Sequence, residues 1–321
     1  MSPPEACSST ATALVGVVGP TAGGKTALAI RLARRFDGEL VSADSRQVFV
    51  GCDVGTNKPQ PAELGGVACH LIDVVEPGAS FTVADYRRLA IPAVEGIARA
   101  GRLPILQGGT GLYVRALLDG WNLADVPADW PLRRRLEARL AGEGRESLEA
   151  ELRRIDPVAA AAAQRNPRRL VRALEIHALT GAVPSARRRA APPPWRVLLL
   201  GLEVPLPVLD QRIERRVDRM LADGLLDEVR RLRARHPGLD LSGLGHGYRE
   251  MGAVLDRGMT LDQARASTIR QVRQYARRQL TWFRRDPRVH WIAAEPQALA
   301  LVERFQRSGA DGGGEGLEGS G

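Results

Sequence analysis

An α/β fold, in which a parallel sheet is covered by helices and interrupted by an all-helical insertion, is what this 321-residue sequence predicts. Three observations carry that prediction. An apolar run, a glycine-rich turn and an amphipathic stretch follow one another over residues 14–36. Short apolar runs then alternate with helical periods as far as about residue 120, the pattern of parallel strands joined by crossover helices. From Trp121 to about Ala190 the apolar runs stop, and Ala, Leu, Arg and Glu dominate before a strand-like run returns at Trp195.

Each element has a local reason. Residues 1–12 and the Gly-rich, acidic tail, drawn as 308–321, lack an apolar period and are expected to be disordered. Residues 14–18 read as a buried strand, and "KTALAIRLARRF" as an amphipathic helix. "GELVSAD" is a second strand ending at Asp44, "CHLIDVV" a third, and "FTVADYRRLAIPAVEGIARAG" a helix opened by Ser80 or Thr82. "LPILQGGTG" is a strand that runs into another glycine turn. In the insertion, the pair Asn166-Pro167 is placed to start the helix "RRLVRALEIHALTG". The Pro- and Arg-rich connector "VPSARRRAAPPP" leads back to "WRVLLLGLEV", apolar enough to rejoin the sheet. Helices at about 207–222, 225–235 and 261–285 and a short strand "VHWI" follow. The expected division is therefore a core of residues 13–120 with 195–295, and a helical insertion of residues 121–194.

Composition narrows the function. A formal charge of +9 is unevenly spread: residues 1–120 carry 11 basic against 11 acidic groups, 121–190 carry 14 against 9, and 265–288 carry 8 against 1. Localised basic surface away from the glycine loop points to a polyanionic partner. Cys7, Cys52 and Cys69 and five scattered histidines offer neither a disulfide framework nor zinc-ligand spacing. No apolar stretch reaches membrane-spanning length and no signal-peptide pattern opens the chain, so a cytoplasmic, membrane-free protein is expected.

Gly19, Gly24, Lys25 and Thr26 fill the spacing G-x-x-x-x-G-K-[ST] between a strand and a helix, which makes the core phosphate-loop NTPase-like. The turn runs from Gly19 and Pro20 through Thr21, Ala22, Gly23 and Gly24, and its backbone N–H groups, of which Pro20 has none, cradle phosphate oxygens, while Lys25 neutralises charge and Thr26 can ligate Mg²⁺. Nucleotide phosphates, ATP included, would fit the same loop. An ATPase of this architecture ends a neighbouring strand in Asp to hold Mg²⁺, whereas "LPILQGGTG" ends in Gln107. The carboxylate at a strand end is instead Asp44, a candidate general base; its alternative is to cap a helix in "SRQVF". In "LPVLDQRIERRVDRML", Arg216 lies roughly 70° from the centre of the apolar face and could reach a buried leaving group or snorkel to water. The long helix pairs an apolar stripe (Ile269, Val272, Ala276, Leu280, Phe283) with a basic one (Arg270, Arg273, Arg277, Arg284), interleaved with Tyr275 and Trp282. That pattern suits nucleic acid and equally a packed helix with a solvated face.

Together, "GPTAGGKT", "SADSRQVFVGCDVGTNKP", "HLIDVVEP", "FTVADYRRLA", "GGTGLYVRALL", "NPRRLVRALE" and "YARRQLTWFRRDP" resemble the tRNA dimethylallyltransferase (tRNA isopentenyltransferase) family from about residue 14 to 293. The resemblance implies transfer of a dimethylallyl group from its diphosphate to N6 of an adenosine beside the tRNA anticodon, position 37. It implies that residues Gly19 to Thr26 hold the donor diphosphate, that Thr26 supports Mg²⁺, and that Asp44, Arg216, Lys25 and Thr110 form the catalytic set. Asp44, Ser45, Arg46 and Gln47, Thr110, and Gln164, Arg165, Asn166, Pro167 and Arg168 would contact tRNA. Gly23 stands where Ser is common, Phe49 where Tyr is, and Cys69 where a second His often is, so donor affinity is the property most exposed to change. The implied partners are tRNA and dimethylallyl diphosphate, with Mg²⁺ as cofactor and a monomer as the expected state. The alternatives are prenyl transfer to a free adenine nucleotide, a phosphate-loop kinase of a small metabolite, and a non-catalytic RNA-binding switch.

Overall fold

The first apolar run becomes strand β1 (Ala13–Val18), in which every residue after Ala13 is buried. The structure is a computed structural model describing residues 11–121, 126, 128–163, 166–187 and 191–310. Helix α1 (Lys25–Arg35) follows the glycine turn and buries Leu28, Ala29, Ile30, Leu32 and Ala33 on one face. Then come β2 (Gly38–Ser42), α2 (Pro61–Leu64), β3 (Cys69–His70), α3 (Val83–Arg99), β4 (Leu103–Gly108) and α4 (Gly111–Leu118). Helices α5 (Trp130–Glu143), α6 (Arg145–Ile155), α7 (Pro157–Ala163) and α8 (Pro167–Thr180) interrupt this alternation. Strand β5 (Arg196–Leu202) resumes it, followed by α9 (Leu206–Ala222), α10 (Leu225–Arg235), α11 (Tyr248–Leu255), α12 (Leu261–Phe283), β6 (Val289–Ile292) and α13 (Glu295–Ala310).

The six strands form one sheet in the order β3-β2-β4-β1-β5-β6, and every pairing is parallel. β1 lies between β4, reached before the insertion, and β5, reached after it, with Val15 opposite Ile105 on one side and Leu198 on the other. A parallel sheet buried on both faces needs apolar strands, and Val15, Val17, Ile105, Leu198 and Leu200 pack with Leu28 and Leu32 of α1. Burial of each such side chain is worth about 1.5–3 kcal/mol. A second cluster joins Leu209, Ile213 and Val217 of α9 to Ile269, Val272, Ala276 and Leu280 of α12.

The chain divides into two units, one of residues up to 82, 86–114 and from 194 onward, the other of 83–85 and 115–193. The second has its own core, in which Leu136, Leu148, Leu152, Leu170 and Leu174 meet. Within that core Glu175 accepts hydrogen bonds from the Asp129 N–H (2.8 Å), Arg133 (2.7 Å) and Arg172 (2.7 Å). Burial alone would raise its carboxyl pKa, but these donors together hold it below the usual range.

Several expectations are corrected. The third strand is only Cys69–His70, because Leu71 and Asp73 take φ of +63° and +55°, which ends extended backbone at once. The second strand stops at Ser42, two residues short of Asp44. Residues 308–310, expected in the tail, belong to α13, whose Ala298 and Val302 are buried against the sheet core. Residues 1–10 and 311–321 lie outside the described residues.

Candidate active site

The phosphate loop leaves the carboxyl end of β1, the central position where ligands of open parallel sheets bind. Gly19 at φ +134° turns the chain out of the strand, and Gly24 at φ +99° occupies the N-cap of α1, where it makes no side-chain capping hydrogen bond. The first N–H groups of α1 are thus open to an anion. Ala22 also takes a left-handed φ of +59°, strained by about 1 kcal/mol for a residue with a Cβ. A Cβ on Gly23 would lie 2.9 Å from the Pro20 carbonyl, so in this tight turn the glycine also makes room.

Three side chains from distant segments, Arg212, Arg216 and Gln279, join the loop's own Lys25 around it. Lys25 folds back to donate from Nζ to the Pro20 carbonyl (2.7 Å). Burial lowers its pKa to about 8, with Asp44 opposing and Arg216 adding to the shift. Arg216 of α9 donates from Nη1 to the Thr21 hydroxyl (3.0 Å) and from Nη2 to the Thr56 carbonyl (3.3 Å), so it points inward rather than snorkelling. Arg212, one turn earlier, donates to the Gly23 carbonyl (3.4 Å). Gln279 of α12 is buried, accepts from the Thr21 N–H (2.7 Å) and donates to the Gly109 carbonyl (2.8 Å).

Asp44 is half-buried beyond β2. Its Oδ1 accepts from the Arg46 N–H (2.9 Å), and residues 45–48 form turns, so the carboxylate closes a turn instead of capping a helix. Its charge acts on Lys25 and on Arg216 alike, opposing in both the pKa depression that burial causes. The segment is clasped to the loop after β4: the Ser45 N–H donates to the Thr110 hydroxyl (2.9 Å), which donates on to the Ser45 hydroxyl (3.3 Å). Tyr275 stands beside them, its phenol pushed up to about 12 by burial and then by Asp44, and its ring centroid lies 5.1 Å from that of His246.

The remaining expected residues divide. Arg46 is exposed and donates to the Gly243 carbonyl. Gln47, expected to contact RNA, is instead buried: its amide accepts from Ser42 (3.1 Å) and donates to the Thr56 (3.4 Å) and Asn57 (3.1 Å) carbonyls. That side chain braces the loop because both amide protons are spent inside it. Asn166 caps α8 through the Arg168 (3.1 Å) and Arg169 (3.4 Å) N–H groups, Pro167 fills the first turn, and Arg168 is exposed. Gln164 and Arg165 lie outside the described residues. On α12 the basic stripe is partly neutralised, since Asp210 and Glu214 pair with Arg273, and Asp210 with Arg277. Arg270 and Arg284 are exposed with no carboxylate in ion-pair reach among the described residues.

Sequence reasoning missed Gln279 and Glu228. The Glu228 carboxylate is buried and accepts the N–H groups of Asp53 (2.9 Å), Val54 (2.7 Å) and Gly55 (3.0 Å) and the Tyr248 hydroxyl (2.7 Å). It thereby fixes the loop whose Thr56 carbonyl receives Arg216. The signal available was an acid on the apolar face of a helix, Glu228 beside Leu225, Val229 and Leu232.

A parallel sheet with a phosphate loop, an inward arginine (Arg216), a second arginine reaching the loop from the surface (Arg212) and a carboxylate near them define a phosphate-loop enzyme built for group transfer. A profile of the IPP transferase family matches residues 47–286, and the chain belongs to that family, the tRNA dimethylallyltransferases. It is 47% identical over 299 residues to a tRNA dimethylallyltransferase of Roseiflexus sp. (strain RS-1), covering 91% of this chain and 98% of the relative. A crystal structure of a full-length tRNA isopentenylpyrophosphate transferase from Bacillus halodurans superimposes with a TM-score of 0.68 at 42% identity, covering 94% of this chain and 97% of that one. A eukaryotic dimethylallyltransferase captured acting on tRNA superimposes with a TM-score of 0.79 at 26% identity, covering 92% and 80%.

Proposed function

We propose that this chain transfers a dimethylallyl group from dimethylallyl diphosphate to N6 of the adenosine next to the tRNA anticodon, releasing diphosphate. The observation that carries the reading is the shared field of Asp44, Lys25 and Arg216. An adenine amino group is a poor nucleophile that must lose a proton as its new bond forms, and Asp44 is the acceptor for it. As N6 bonds to the allylic carbon, the carbon–oxygen bond to diphosphate breaks. Lys25, Arg216 and the N–H groups of the loop and of α1 hold the charge that grows on the leaving group. Thr26 would hold Mg²⁺, which when bound neutralises part of the diphosphate charge. Thr110 and Ser45 position the Asp44 segment, and Arg46 with Arg168, Asn166, Pro167, Gln164 and Arg165 are the proposed tRNA contacts. Arg270 and Arg284 add free positive charge for the RNA backbone. The adenine would be extruded from its stack to reach the cleft.

The family, the absence of any helix long and apolar enough to cross a membrane among the described residues, and the basic surface support a cytoplasmic enzyme acting on tRNA. The reading is tested by incubating purified protein with tRNA and dimethylallyl diphosphate and following the RNA by mass spectrometry. Asp44→Asn should lower kcat/KM by about 10²–10⁴-fold with donor binding retained. A wild-type rate in that variant would refute Asp44 as the base, and no mass gain with the unmodified chain would refute prenyl transfer.

A further inference from the structure

Gln107, the next-to-last residue of β4, is a polar side chain only 2% exposed near the end of an otherwise apolar strand. In a phosphate loop that hydrolyses its ligand, the corresponding strand end presents an acid that helps to hold the divalent cation. Here an amide takes that place. The Thr26 hydroxyl donates to the Gln107 Oε1 at 3.2 Å. A hydroxyl carries one proton and two lone pairs, so committing the proton to Gln107 leaves both lone pairs of Thr26 free for a cation. The Gln107 amide nitrogen has no partner of its own among the described residues, which leaves its N–H donors beside the cradle. Among the described residues, no three carboxylate, imidazole or thiol groups gather as metal ligands. The cradle already holds the positive charges of Lys25 and Arg216. A bare divalent cation therefore meets one hydroxyl oxygen and two like charges, which the single Asp44 carboxylate acting on both does not offset, so the cradle stays net positive and holds a cation poorly until an anion is present.

We propose that Gln107 is a specificity-determining residue: it orients Thr26 toward a divalent cation but withholds the negative charge that would bind the cation without diphosphate. This rests on the reading of the loop as a diphosphate cradle. The cation then enters only as a complex with the diphosphate. The neutral amide also gives the site no base at this position to take a proton from water, so the bound diphosphate ester is kept for the amine. A carboxylate in the same position would reverse both properties.

The test uses Mn²⁺ as a paramagnetic substitute for Mg²⁺, with free Mn²⁺ followed by electron paramagnetic resonance on the full chain, with and without inorganic diphosphate. The unmodified protein should bind Mn²⁺ only when diphosphate is present. Gln107→Glu should raise diphosphate-free Mn²⁺ affinity by about tenfold or more. Gln107→Leu should leave diphosphate-free binding unchanged and weaken Mn²⁺ in the diphosphate complex by about tenfold, the usual loss when a group that orients a metal ligand is removed. The proposal is overturned if the unmodified chain binds Mn²⁺ alone as tightly as Gln107→Glu does, or if Gln107→Leu matches it in the presence of diphosphate. Prenyl transfer is scored separately by RNA mass, so loss of that activity with the metal pattern intact counts against the transferase reading alone.

Discussion

Lys25 and Lys58 are the only lysines in the chain, and the two loops that hold them use the same side chain in opposite ways. Lys58 is 4% exposed, and its ammonium donates to the Phe49 carbonyl (2.6 Å), to Asp53 (2.7 Å) and to Asp73. All three of its protons are used, and two carboxylates balance its charge. Lys25 donates to one carbonyl, pairs with no carboxylate at contact distance among the described residues, and sits near a second cation. The contrast teaches that a saturated cation holds a loop shut, whereas an under-satisfied one waits for an anion. The loop around Lys58 is the rigid member, and its Thr56 carbonyl steadies Arg216 for the other.

The comparison breaks most visibly at Lys25. Lys25→Met should lower kcat/KM by about 10³-fold, measured by RNA mass gain, because charge on the leaving group loses its nearest point cation. The melting temperature should not fall, since no internal ion pair is lost and the cost of burying the charged ammonium is removed. Lys58→Met should do the reverse, lowering the free energy of urea unfolding by about 2 kcal/mol through three charge-assisted hydrogen bonds with half-exposed partners. The folded fraction of that variant should bind diphosphate with unchanged affinity.

The smallest effect concerns protons. Burial brings the folded Lys25 pKa to about 8, below the 10.5 of a free lysine. Its charging therefore opposes folding below about pH 8, and this opposition is relieved as pH rises from there toward the unfolded value. Diphosphate needs the charged form, so its affinity should fall by up to about tenfold as pH rises from 8 to 9, with proton uptake on binding visible by calorimetry in two buffers. Lys25→Arg should flatten that dependence.

Much of this was legible in the sequence where the chemistry is local. The strand, the glycine turn and α1 follow one another within a few residues, so the cradle could be read from spacing alone. Asp44 could be placed at a strand end for the same reason. Arg216 could be set near the apolar face by helical phase, but whether it turns inward depends on Thr21 and Thr56, far away in the chain. Gln279 carries a polar amide at a position whose partners, Thr21 and Gly109, only tertiary packing supplies. The place of Gln47 was not legible because a loop amide can serve a ligand or its own backbone, and its bonds go to carbonyls nine and ten residues on. Helix α13 is different in kind: Ala298 and Val302 share a face in the sequence, and only the neighbouring glycine-rich tail obscures where that helix stops.

The pairing of β1 with β5 brings Ala13 beside Arg196, so the middle of the sheet is zipped only after roughly 180 further residues have left the ribosome. Arg216 and Gln279 emerge later still. A nascent chain that displays its glycine turn early consequently lacks the side chains of Arg216 and Gln279 beside that turn until synthesis is almost over.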